Sequence, residues 1–83
     1  MNTKLTVKAE NERILYCILN KDEDMESQLG EMLLNANGRG IGVYLEEKSI
    51  RVVDYFHAET IFSFAIISFE DTEEPVSLKW TEI

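Results

Sequence analysis

Apolar and polar positions alternate at the start of the chain. Leu5, Val7 and Ala9 are separated by Thr6 and Lys8, the period of a half-buried strand. Glu10-Asn11-Glu12 reads as a turn. Ile14 to Leu19 is an unbroken apolar run, short and rich in β-branched and aromatic residues, which predicts a strand buried on both faces. A short helix is the alternative, because Ile14, Leu15, Ile18 and Leu19 also fit one helical face.

The period then changes. Met25, Leu29, Met32, Leu33 and Ala36 form one apolar stripe at helical spacing. Asn20 and Glu23 have the spacing of a capping box, with Asp22 or Asp24 as alternative caps. Acidic residues at this end favour the positive pole of a helix. Gly38 stands where a left-handed C-cap belongs, so a helix is expected from about Asp22 to Asn37.

Beyond it the sequence reads as a β-meander. Ile41, Val43 and Leu45 alternate up to Glu46-Glu47-Lys48. Ile50, Val52 and Phe56 share one face of the next strand, and Arg51, Val53 and Tyr55 the other. Thr60 to Glu70 is apolar on both sides, as in a central strand. Asp71-Thr72-Glu73-Glu74-Pro75 reads as an acidic hairpin turn before Val76, Leu78 and Trp80, with Pro75 at the strand start, where a missing N–H is tolerated. The expected class is α+β: a single helix packed on a curved, mainly antiparallel sheet, in the order β-β-α-β-β-β-β, with residues 1–83 as one domain.

This pattern raises a covering problem. Two strands are apolar on both faces, and one helix of about four turns covers only one face of a sheet. The other face must curl on itself or be buried against another copy or a partner. Homodimerisation is expected on this ground.

Composition narrows the partner. The 83 residues carry 16 Asp plus Glu against 8 Lys plus Arg, a net charge of −8. The basic residues are scattered, which argues against direct nucleic-acid or anionic-membrane binding. The longest apolar-rich run, Ile61 to Phe69, is about half of the ~20 residues a membrane helix needs. The N-terminal residues have no apolar core of signal-peptide length. One cysteine, Cys17, makes no internal disulfide and fits a reducing compartment, so a cytoplasmic protein is expected.

No constellation carries recognisable catalysis. Asn37-Gly38-Arg39-Gly40-Ile41-Gly42 follows a helix and leads into a strand, the reverse of a phosphate loop, although Arg39 is a basic residue at a candidate contact tip. His57 lies near Asp54 and Glu59 in the connection His57-Ala58-Glu59, where a solvated turn histidine at a strand end is expected; were Asp54 to His57 extended, the two would point to opposite faces. Cys17 sits in an apolar run, where a thiol is inert. Glu46/Glu47 and Glu73/Glu74 are adjacent pairs that diverge on a strand. No enzyme, metal or other cofactor is expected.

Two acidic clusters remain. Asp22, Glu23, Asp24 and Glu26 open the helix, and Glu70, Asp71, Glu73 and Glu74 fill the last connection. On one edge of the fold they would make a negative surface for a basic protein groove; at opposite ends the idea loses its basis. Ser27, Gly30 and Leu34 fall on the outward helix face and form a second candidate contact, with Gly30 allowing close approach. In size and acidity alone, the chain resembles small phage or mobile-element proteins that block nucleic-acid enzymes by mimicking DNA charge. That resemblance implies an inhibitor. The expected function is a small acidic, non-catalytic protein-interaction module. The alternative is a small-ligand-binding domain with a pocket between helix and sheet, lined by Met25, Met32, Phe62, Phe64 and Trp80.

Overall fold

The computed structural model describes residues 1–37 and 40–83, and only the backbone at residues 34–37. The chain runs β1 (Asn2–Lys8), β2 (Ile14–Asn20), α1 (Met25–Asn37), β3 (Ile41–Leu45), β4 (Ser49–Asp54), β5 (Glu59–Thr72) and β6 (Ser77–Glu82). The class is α+β; the described residues form one helix and six strands, and every strand pairing among them is antiparallel. Ile14–Asn20 is a strand, which settles the choice between strand and helix there.

The strands lie in the order β3-β4-β5-β1-β2-β6. The meander expectation holds for β3, β4 and β5 and fails for β6. Pairing with β1 occupies the C-terminal half of β5, so β6 pairs with β2 instead. The acidic residues before β6 are therefore not a hairpin turn. They carry the chain past the ends of β1 and β2.

The sheet is curled. Phe64 on β5 and Trp80 on β6 have ring centroids 5.1 Å apart, although β1 and β2 lie between their strands. In a flat sheet three strand spacings would separate them by about 14 Å. Helix α1 packs against β3, β6 and β2, so it spans the gap between the two terminal strands. The concave side holds the core, with Leu5, Leu19, Leu29, Ile50 and Val52 fully buried. Curling thus covers one face. The convex side of β5 stays open, and Ile61 and Ile67 are exposed there; the expectation that this strand is buried on both faces is corrected.

A register shift between Thr6 and Val7 against β5 bends the long strand at Ile66–Ser68. β4 pairs with the first half of β5, as far as Ala65, and β1 pairs with the second half on the other edge, from Ala65 to Thr72. This stagger gives the sheet its barrel-like curl. Gly42 makes room for a close approach: a Cβ there would collide with the Tyr55 ring, which folds back from the β4–β5 turn.

The helix begins later than the sequence suggests. Asp24, not Asn20, is the N-cap: its Oδ2 accepts from Ser27 N–H at 2.9 Å and from Ser27 Oγ at 2.7 Å. Asn20 instead makes an Asx turn, accepting from Asp22 N–H at 3.0 Å. The expected C-cap Gly38 lies outside the described residues, as does Arg39. No helix among the described residues is long and apolar enough to cross a membrane.

Candidate functional site

The two acidic segments meet at one end of the sheet, and strand register is the reason. Asn2 pairs with Asn20 on one side and with Thr72 on the other, so the end of β2 and the end of β5 flank the start of β1. Asp22, Glu23 and Asp24 follow β2 after Lys21. Glu70 and Asp71 are the last but two and last but one residues of β5, and Glu73 and Glu74 follow it.

One ion pair joins the two segments, and two further hydrogen bonds order the β5–β6 connection. Lys21 Nζ lies 3.0 Å from Asp71 Oδ1. Asn2 Nδ2 donates to the Glu74 carbonyl at 2.8 Å, which pins the connection to the first strand. Thr72 Oγ1 accepts from Glu74 N–H at 3.2 Å, tightening the turn.

Gln28 holds the helix start against this end. It is buried, and its side-chain amide pairs with Asn20 as a peptide group would. Oε1 accepts from Asn20 N–H at 2.8 Å, and Nε2 donates to the Asn20 carbonyl at 2.8 Å. Nε2 also reaches the Glu23 carbonyl at 3.3 Å. This residue has no mark in the sequence beyond being polar beside the apolar stripe.

The eight acids are not equivalent. Asp22, Glu23, Asp24, Glu70, Asp71, Glu73 and Glu74 are exposed. Glu26 is half-buried, and its Oε2 accepts from Leu45 N–H at 2.8 Å, so it blocks the free edge of β3. Ser27's two hydrogen bonds hold the Asp24 carboxyl below its ordinary range. Lys21 is tied to Asp71, and Lys4 lies over the Tyr16 ring at 4.6 Å.

The second candidate contact is only partly described. Ser27 is exposed, and the space where a Gly30 Cβ would stand is open. The Leu34 side chain lies outside the described residues.

The other motifs resolve locally. β4 ends at Asp54, so Asp54 and His57 are not on one extended strand, and His57 is a turn residue at a strand end as expected. The two fold into a turn with Asp54 Oδ2 2.8 Å from His57 Nδ1. That contact, with the Phe56 N–H bond, holds the Asp54 carboxyl below its ordinary range. His57 is largely exposed there. Burial pushes the Cys17 thiol up to about 12. The neighbouring Tyr44 pushes the Tyr55 phenol up, and desolvation adds to the shift. Among the described residues no group of three or more His, Cys, Asp or Glu is placed to hold a metal ion.

The side chains expected to line a ligand pocket fill the interior: Met32 and Phe64 are buried in the core, and Met25, Phe62 and Trp80 pack against it. Phe62 and Phe64, with Ser63, also line a surface depression of about 230 Å³ between the β1–β2 turn and β5, completed by Ala9, Glu10 and Asn11; Met25, Met32 and Trp80 do not line it. Comparison with known proteins adds no identity: no family model, no curated protein and no solved structure matches this chain.

Proposed function

We propose that this chain is a small non-catalytic interaction module whose acidic end engages a basic surface of a protein partner. An inhibitor that offers negative charge where its partner meets nucleic acid is the form this reading takes. The observation that carries it is the juxtaposition of the two acidic segments across the start of β1, in the register Asn20–Asn2–Thr72. Seven exposed carboxylates lie in these segments, and the nearby Lys21 and Lys4 are already engaged, with Asp71 and with the Tyr16 ring. Such a surface attracts cations over roughly a Debye length, about 8 Å at physiological salt. The buried free Cys17 suits a reducing compartment, so the cytoplasm is the proposed location. The outward face at Ser27 and Gly30 is proposed as a further contact, used in a homodimer and tested by light scattering over a concentration series.

The charge reading is tested by calorimetric titration with a lysine- and arginine-rich peptide. The expected result is binding that weakens about tenfold or more between 50 and 200 mM salt. Charge reversal at Glu70, Asp71, Glu73 and Glu74 should remove it. Salt-insensitive binding, or equal binding by the reversed variant, would sink the proposal.

A further inference from the structure

The stagger of β5 leaves part of one edge without a neighbour. β4 pairs with β5 from Glu59 to Ala65 and adds one bond, from Ile66 N–H to the Lys48 carbonyl at 2.9 Å. β1 lies on the opposite edge, from Ala65 to Thr72. The edge of Ile67–Thr72 that faces away from β1 therefore has no strand beside it among the described residues. It is about 20 Å long at strand spacing.

Two other exposed edges of this sheet are blocked by carboxylates. Glu10 Oε1 accepts from Ser63 N–H at 2.8 Å, and Glu26 Oε2 accepts from Leu45 N–H at 2.8 Å. The Ile67–Thr72 edge has no such cap among the described residues. It carries apolar side chains instead: Ile67 is 52% exposed and Phe69 44% exposed. Unpaired backbone groups beside exposed apolar residues are the template for strand addition.

We infer that this edge accepts an extended segment of a partner protein, rich in Lys or Arg, as an added antiparallel or parallel strand. The inference rests on the proposed acidic reading and specifies how the partner is held. Charge selects the occupant. Glu70 and Asp71 lie on the edge strand, and Glu73 and Glu74 follow it. A second copy would bring the same acids against one another, whereas a basic strand complements them. Backbone bonds would supply affinity, Ile67 and Phe69 would pack against apolar residues of the added strand, and the acids would favour its cations.

The test uses amide hydrogen exchange, read by NMR, on the intact protein. One probe is a nine-residue peptide of alternating lysine and valine. The other is the same peptide N-methylated at every backbone amide, which keeps charge and side chains but has no backbone N–H left to pair along either edge. With the first peptide at about ten times its dissociation constant, outward amides within Ile67–Thr72 should exchange about tenfold more slowly. The methylated peptide should give no such protection. Equal binding of both peptides without protection there overturns strand addition and leaves the acidic reading standing. Failure of both to bind at low salt overturns the acidic reading as well. Protection that grows with protein concentration in the absence of peptide gives the edge to a second copy and overturns the assigned occupant.

Discussion

Lys21 Nζ sits 3.0 Å from Asp71 Oδ1, joining residues 50 positions apart in the chain. The contact marks the place where the helix entry and the β5–β6 connection come together. Both side chains are about half exposed, so the pair itself adds little stability, on the order of 0–1 kcal/mol. Its larger effect is on charge, because Lys21 neutralises part of the acidic end. Lys21→Ala should shift the urea midpoint only slightly while tightening binding of a lysine- and arginine-rich peptide. Weaker peptide binding by this variant would contradict the account.

Gln28 is a stronger determinant of the same geometry. Gln28→Ala leaves the Asn20 N–H and carbonyl without their side-chain partner beside a buried position. The expected cost is about 1–3 kcal/mol in equilibrium urea unfolding. Asn20 and Glu23 amides should also exchange faster than in the parent protein.

The acid limb of stability has a defined sign. Hydrogen bonds from Ser27 hold the folded-state value of Asp24 below its ordinary 3.8, and His57 and Phe56 do the same for Asp54. The folded protein therefore binds these protons less tightly than the unfolded chain. This stabilisation is fully present above the ordinary value and is lost as pH falls through the folded-state values. Asp24→Asn keeps a capping side chain and removes one titrating group. Its thermal midpoint should fall less steeply below pH 4 than that of the parent protein.

Cys17 should be silent in the native state. The thiol is fully buried and pushed up to about 12, so no thiolate is available near neutral pH. Reaction with an aromatic disulfide reagent should proceed at the rate of unfolding and become rapid in denaturant. Fast labelling of the native protein would place Cys17 elsewhere than the core.

Local pattern carried most of the elements. The two-residue period at Leu5–Val7 and the three-to-four-residue stripe from Met25 mark β1 and α1 directly. The partner of β6 was not legible, since alternation in Leu78 and Trp80 says which face is buried and nothing about which strand lies alongside. The bend at Ile66–Ser68 was hidden too, because a bulge depends on the partner's register. Both acidic segments were visible as candidate contacts. Their meeting was not, because it depends on Asn2 pairing with Asn20 and Thr72 at once. The turn at His57 was legible, but it starts earlier than expected, because the run from Ser49 to Phe56 keeps a strand period past Asp54, where the strand ends.

Gly42 offers a test of the curled sheet's outer surface. Gly42→Ala places a methyl group where the Tyr55 ring lies, so the ring must move relative to Tyr44. The expected destabilisation is about 1 kcal/mol, with the Tyr55 phenol titrating closer to its ordinary value. An unchanged phenol titration would show that the ring does not depend on the glycine.

The central claim is that residues at both ends of the Asn20–Asn2–Thr72 register form one cation-binding surface. The most direct measurement is residue-by-residue NMR mapping of a lysine- and arginine-rich peptide at low salt. The account predicts shift changes that saturate together at 21–24 and 70–74, with one affinity, and that vanish on charge reversal at Glu70, Asp71, Glu73 and Glu74. Changes confined to one segment, or centred on other acids such as Glu46 and Glu47, would contradict it.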